Sequence, residues 1–257
     1  MALAEFTRAE FFGQDGTPGY FRYEPGEHLL IVEPTGGGKT FLAYQALGTA
    51  MRQHPHLSVM SVMPKPKDPS TAMWAEALNL RETPVWPPRR RLFGGKPAGY
   101  VLWPPHQMDL PPAERRQAIG RVLRSGIDSQ YRNGDSITFV DDAHSAAIFM
   151  GLNEYLEELL VNGRSGGAGG WLALQKPSGS QSTGSVSSFA YSSASHIFLG
   201  RDNDARNIRR FGEIGGFNPA EIERIVRNLQ LYRIGGHTVS QKLYLDQRGP
   251  YKALISP

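Results

Sequence analysis

The chain has 257 residues, long enough for one α/β domain with a full core, and its composition, 40% hydrophobic and 20% charged, is that of a globular protein. It contains no cysteine, which excludes disulfides, thiolate metal sites and cysteine nucleophiles. A net charge of +4 is compatible with a nucleic-acid partner without requiring one. No run approaches the ~20 apolar residues of a membrane span, and Met1–Glu10 lacks the apolar stretch of a secretory signal; a cytoplasmic location is expected.

Residues 1–27 read as a polar, Gly/Pro-punctuated lead-in, and 28–257 as a single domain. His28–Val32 is a short apolar run that fits a buried parallel strand. Lys39–Gln53 carries Phe41, Leu42, Tyr44, Leu47 and Met51 at helical spacing. Leu57–Met63 reads as a second strand and Thr71–Leu80 as a short helix. Residues 84–98, with Pro84, Pro87, Pro88, Arg89, Arg90, Arg91 and Gly94-Gly95, read as an exposed loop. Tyr100–Trp103 reads as a strand, Pro111–Tyr131 as a helix with a proline-rich entry, and Ser136–Val140 as another strand. Leu152–Val161 is helical, and Trp171–Leu174 and His196–Leu199 are strands. Between those two strands, Ser178–Ser195 is dominated by Ser, Gly and Thr and reads as a loop. Pro219–Leu229 is a final helix. Leu231–Ile234, Gln241–Leu245 and Tyr251–Ile255 make a terminal antiparallel hairpin. Strands alternating with helices give an α/β fold with a mostly parallel central sheet flanked by helices.

The strand His28–Val32 runs into Glu33-Pro34-Thr35-Gly36-Gly37-Gly38-Lys39-Thr40 and then a helix, the context of a Walker A phosphate loop. Glycines let the backbone curl so that successive N–H groups face the β- and γ-phosphates of ATP, and the helix N-terminus adds partial positive charge. Pro34, Thr35, Gly36, Gly37, Gly38, Lys39 and Thr40 are thus the nucleotide-binding candidates. Lys39 reaches the β/γ oxygens, and the Thr40 hydroxyl is a ligand for Mg²⁺. Glu33 occupies the slot usually held by glycine, and a carboxylate near phosphates is electrostatically awkward. It either points away or meets a basic partner.

Ile137-Thr-Phe-Val-Asp141-Asp142-Ala-His144 is an apolar strand ending in two acids, the Walker B arrangement. Asp141 is placed to hold Mg²⁺ through its water shell, and Asp142 to orient or deprotonate the attacking water. The usual second acid is glutamate, one methylene longer. His144 reads as an ordinary loop histidine. Gln175, at the end of Trp171–Leu174, would stand beside the γ-phosphate if that strand lay between the Walker A and Walker B strands.

The series of Walker A, Val62-Met-Pro-Lys65, Phe139-Val-Asp-Asp142, Asn162-Gly-Arg164 and Leu174-Gln175-Lys-Pro177 resembles the FtsK–HerA superfamily of DNA-pumping P-loop ATPases. The match spans about residues 28 to 235. It implies a RecA-like (ASCE) fold and a homo-oligomeric ring, hexameric or, in some viral packaging members, pentameric. ATP would lie between subunits, with Arg164 touching a neighbour's γ-phosphate. The other reading of Arg164 is a surface arginine favoured by a helix C-terminus.

The same resemblance implies loops that grip double-stranded DNA. The candidates are Arg89, Arg90, Arg91 and Lys176, with Ser180 and Ser182 as neutral donors to phosphate; the alternative for Ser178–Ser195 is a plain connector. A bare motor core of this length is similar to viral genome-packaging ATPases, which implies a capsid portal or vertex complex as a partner and the host cytoplasm as the location. Two other functions stay open: a DNA-transfer ATPase of a plasmid or integrative element, and a P-loop motor that remodels protein.

Overall fold

A computed structural model describes residues 3–13, 17–89, 97–177, 189–249 and 251–257, and the fold is stated for these. In chain order the elements are β1 (Ala4–Thr7), α1 (Arg8–Phe12), β2 (His28–Val32), α2 (Lys39–Gln53), β3 (Ser58–Val62), α3 (Pro69–Ala77), β4 (Leu80–Thr83), β5 (Gly99–Leu102), α4 (Pro112–Asn133), β6 (Ser136–Val140), α5 (Ala143–Phe149) and α6 (Asn153–Asn162). A 3₁₀ turn (Gly163–Gly166) leads to β7 (Ala168–Leu174), α7 (Phe189–Ser193), β8 (Ala194–Leu199), α8 (Ala205–Gly215), α9 (Pro219–Asn228), β9 (Leu231–Ile234), β10 (His237–Ser240), β11 (Lys242–Asp246) and β12 (Tyr251–Ser256).

Short polar side chains fix several helix starts. Thr7 and Glu10 form a reciprocal capping box at α1. Asp68 caps α3 and Asn218 caps α9, each followed by a proline in the first turn, where its missing N–H costs nothing. Asp204 caps α8, and Gly216 closes that helix in the left-handed region.

Ten strands form one sheet in the order β1-β12-β11-β8-β2-β7-β6-β3-β5-β4, and β9 and β10 form a separate antiparallel pair. Within the large sheet only β11 runs against its neighbours, β8 and β12. The interior strands are buried on both faces, as helices on each side of a parallel sheet require. Alternation along β2 divides the core. Leu29 and Ile31 pack with Phe11, Phe12, Leu42 and Leu47 on one face. Leu30 and Val32 pack with Ile119, Leu123, Leu156 and Phe211 on the other. Each such side chain contributes about 1.5–3 kcal/mol by leaving water.

The fold is the expected α/β class with a mostly parallel central sheet, and two hairpins end the chain. Leu231–Ile234 pairs with His237–Ser240, a partner strand that the sequence reading missed, and Lys242–Asp246 pairs with Tyr251–Ser256. Several other elements also depart from expectation. Within 1–27, β1 pairs in parallel with β12 and α1 buries Phe11 and Phe12. Leu80, expected at a helix end, begins edge strand β4. Phe189–Ser193 is helical and Ala194-Ser195 opens β8, so the expected Ser-rich loop ends earlier than Ser195. Helix α8 was missed because only Ile208, Phe211 and Gly212 are buried in a mostly charged segment. Among the described residues, no helix is long and apolar enough to cross a membrane.

Candidate functional site

Parallel pairing aligns the carboxyl ends of five strands. Val32 sits opposite Leu174 and Leu199, while Val140 sits opposite Leu172 and Val62. The residues that follow therefore leave the sheet along one edge: Glu33 after β2, Lys65 after β3, Asp141-Asp142 after β6, Gln175 after β7 and Gly200 after β8. Ligands of open parallel sheets bind at such an edge. As expected for Gln175, β7 lies between the Walker A and Walker B strands.

The loop between β2 and α2 turns on Gly36 and Gly38, whose φ angles of 90° and 89° suit glycine. Gly38 starts α2 in the left-handed region, and no side-chain hydrogen bond caps the helix, which leaves its first-turn amides to meet an anion. Lys39 Nζ donates to the carbonyls of Glu33 (2.7 Å) and Pro34 (3.1 Å). Burial lowers the pKa of this ammonium, while Glu33, Asp141 and Asp142 pull it upward.

Thr40 Oγ1 donates to Asp141, at 3.2 Å from Oδ1 and 3.1 Å from Oδ2. A hydroxyl and a carboxylate brought together in this way form a hard-oxygen donor set that fits Mg²⁺. Lys65 Nζ also approaches Asp141 Oδ2, at 2.6 Å, and Asp68 Oδ2 at 3.2 Å. Burial opposes the Lys65 charge, yet the two carboxylates outweigh it and raise its pKa. The Lys of the Val62-Met-Pro-Lys65 segment thus belongs to this cluster, a role that the sequence reading did not assign.

Asp142 adopts φ 58°, ψ 61°, an uncommon conformation for a residue with a side chain, and caps α5 by accepting from the Ser145 N–H at 3.3 Å. Its other oxygen accepts from Gln175 Nε2 at 3.3 Å. Burial depresses the pKa of His144, Asp142 opposes that shift and Lys176 adds to it.

Glu33 does not point into solvent. It is 2% exposed and lies 2.7 Å from Nζ of Lys242, a fully buried lysine on β11. Ser240 Oγ also donates to Glu33. Of the two possibilities left open for Glu33, the basic partner is the one realised.

Arg164 is exposed on the 3₁₀ turn that precedes β7, whereas Gln175 follows β7. Seven strand residues at about 3.3 Å each separate the two by roughly 20 Å. Arg164 is instead near His28, the first residue of β2, where burial and then the guanidinium hold the imidazole down at about 4. The structure does not bring Arg164 to the phosphate loop of its own chain.

The DNA-contact candidates are not gathered either. Arg89 is exposed beyond β4 and its carbonyl accepts from Arg81; Lys176 is exposed beyond β7. Four strand spacings, about 19 Å, separate β4 from β7. Arg90, Arg91, Ser180 and Ser182 lie outside the described residues.

No protein-family model and no curated protein matches the amino-acid sequence. Solved structures do match the fold. The genome packaging NTPase B204 from Sulfolobus turreted icosahedral virus 2, in complex with ATP-gammaS, aligns over 91% of this chain and 99% of its own, with TM-score 0.56 and 12% identity. The pCW3 conjugation coupling protein TcpA, in its monomer form with ATPgS, aligns over 98% of this chain and 68% of its own, with TM-score 0.53 and 10% identity. The cytoplasmic domain of the type VII secretion ATPase EccC from Thermomonospora curvata aligns over 91% of this chain but 25% of its own, with TM-score 0.53 and 15% identity. The chain has the α/β fold of these NTPases.

Proposed function

We propose that this chain is the subunit of an ATP-driven double-stranded DNA translocase that packages a viral genome as a pentameric or hexameric ring, with residues 28–257 forming one motor domain. The observation that carries the ATPase reading is the cluster at the sheet edge, where Thr40 meets Asp141 and Gln175 meets Asp142. The loop amides and Lys39 hold the β- and γ-phosphates, and Thr40 and Asp141 hold Mg²⁺, which supplies positive charge against the phosphate oxygens. Asp142 accepts a hydrogen bond from the attacking water or takes its proton, and the Gln175 amide keeps that carboxylate oriented.

Arg164, roughly 20 Å from its own loop across the length of β7, acts on the γ-phosphate of a neighbouring subunit. A guanidinium inserted there accelerates phosphoryl transfer by roughly 10³–10⁵. Duplex DNA is gripped through its phosphates by Arg89, Arg90, Arg91 and Lys176, with Ser180 and Ser182 donating neutral hydrogen bonds. The packaging reading draws support from the alignment with B204 over nearly the full length of both chains. It carries with it a capsid portal or vertex complex as partner and the host cytoplasm as the site of action.

The similarity to TcpA and EccC keeps two other motors in view, one for DNA transfer and one acting on protein. ATPase activity measured with and without duplex DNA separates them. Stimulation by DNA is expected; turnover indifferent to DNA overturns the translocase in favour of the protein motor. Binding to a purified portal or prohead then separates packaging from plasmid transfer.

A further inference from the structure

The carboxylate in the slot usually held by glycine is a built feature of this chain. Glu33 follows β2 directly and is buried at 2% exposure. Space for it comes from two glycines: a Cβ on Gly37 or on Gly200 would overlap the Glu33 carboxyl group. Lys242, fully buried on β11, brings Nζ to 2.7 Å from Glu33 Oε2. The same ammonium donates to the Gly37 carbonyl at 2.8 Å, to the Ser240 carbonyl at 3.1 Å and to Ser240 Oγ at 2.7 Å. Ser240 Oγ in turn donates to Glu33 Oε1, and the Ser240 N–H donates to the Gly37 carbonyl at 3.3 Å. Arg8, buried on α1, adds a second positive charge facing Glu33.

Two consequences follow from this geometry. A carboxylate buried beside the phosphate loop would repel an incoming triphosphate unless its charge were neutralised, and Lys242 neutralises it where no water can. A phosphate loop also works by turning its N–H groups inward. Fixing the Gly37 carbonyl from outside, with one ammonium and one backbone amide, holds that peptide in a single orientation. Strand β11 therefore completes a loop that lies more than two hundred residues upstream.

We propose that Lys242, paired with Glu33 and bridged by Ser240, is a positioning residue for triphosphate binding that sets the orientation of the phosphate loop. This rests on the ATPase reading of the same loop. The test is the dissociation constant of ATP-gammaS by calorimetry, together with kcat, KM and nucleotide-free thermal unfolding, for Lys242→Met, Glu33→Gly/Lys242→Met and Ser240→Ala.

Lys242→Met should weaken ATP-gammaS at least tenfold, because it leaves the Glu33 carboxylate unpaired beside the loop. The double variant removes the unpaired carboxylate but still lacks the ammonium on the Gly37 carbonyl, so it should recover part of the lost affinity and stay at least threefold weaker than the parent. Ser240→Ala removes only the shared hydroxyl and should weaken binding threefold or more, which keeps the test available if Lys242→Met does not fold. Variants that unfold earlier yet bind ATP-gammaS like the parent would reduce the pair to a packing role and overturn the proposal. So would a double variant as impaired as Lys242→Met. A parent protein that does not bind ATP-gammaS would overturn the ATPase reading itself, a different outcome from a parent that binds and variants that do not differ.

Discussion

Gln175 Nε2 donates to Asp142 Oδ2 at 3.3 Å, joining residues 33 positions apart through the side-by-side pairing of β6 and β7. The amide holds one carboxylate oxygen while the Ser145 N–H holds the other, so the orientation of Asp142 is fixed before any substrate arrives. Asp142→Asn should bind ATP nearly as the parent does and lower kcat at least 100-fold, since it keeps shape and loses the charge that acts on water. Gln175→Ala should lower kcat about tenfold with little change in KM. Steady-state kinetics and calorimetry report both, and normal turnover by Asp142→Asn would remove the assignment.

Lys39 supplies the ammonium of the phosphate loop. Lys39→Ala is expected to abolish turnover and weaken ATP at least tenfold while leaving the unfolding temperature of the nucleotide-free protein within a few degrees, because among the described residues Lys39 Nζ hydrogen-bonds only carbonyls of its own loop. Fluorescent-nucleotide titration and calorimetric melting separate these effects; undiminished ATP binding would show that the loop does not hold phosphate.

The distance between Arg164 and its own loop makes a prediction about mixtures. Arg164→Ala should bind ATP like the parent and hydrolyse it at least 100-fold more slowly. Mixed with Asp142→Asn, it should recover activity above the sum of the two, since some interfaces unite an intact half from each. Mixtures that never exceed that sum would leave Arg164 with a local role at the amino end of β2.

DNA binding through phosphates alone should show little sequence preference and should weaken as salt rises, with each neutralised phosphate contributing roughly 0.9 to the log–log slope. Replacing Arg89, Arg90 and Arg91 together by alanine should flatten that slope by up to about 2.7 on the same scale without altering ATPase activity measured in the absence of DNA. Because Arg89 and Lys176 follow well-separated strands, Lys176→Ala should subtract its contribution independently. Filter binding across a salt series reads both, and an unchanged slope would reduce these residues to solvated loop charges.

His28 makes stability depend on pH. It is buried, its Nδ1 accepts from the Gly170 N–H at 2.9 Å, and burial, with help from Arg164, lowers its pKa to about 4. The unfolded chain therefore takes up a proton near pH 6.5 that the folded chain refuses until about pH 4. Stability should fall by about 3 kcal/mol as pH drops through that window, and this contribution should level off below it. Urea unfolding between pH 7 and pH 4 measures the slope. His28→Gln should flatten it, and an unchanged slope in that variant would assign the effect to other groups.

The strand–loop–helix at residues 28–53 and the apolar strand ending in Asp141-Asp142 are local in sequence, and composition and spacing alone determined them: apolar runs of strand length, glycines where the backbone must curl, and a helical stripe from Lys39 to Gln53. The candidate residues Lys39, Thr40, Asp141 and Asp142 were legible for the same reason, whereas the place of β7 between the two strands was a condition attached to Gln175 that only the sheet order met. Sheet partners of distant segments were not. Strand β1 in the N-terminal lead-in pairs with β12 at the other end of the chain, and β10 forms only because β9 turns back on it at Gly235-Gly236. The fate of Glu33 was likewise undecidable from its neighbours, because its partner Lys242 is separated from it by most of the chain. A buried carboxylate is stable only where tertiary structure delivers a counter-charge and room. Here β11 delivers the first, and the missing side chains of Gly37 and Gly200 the second.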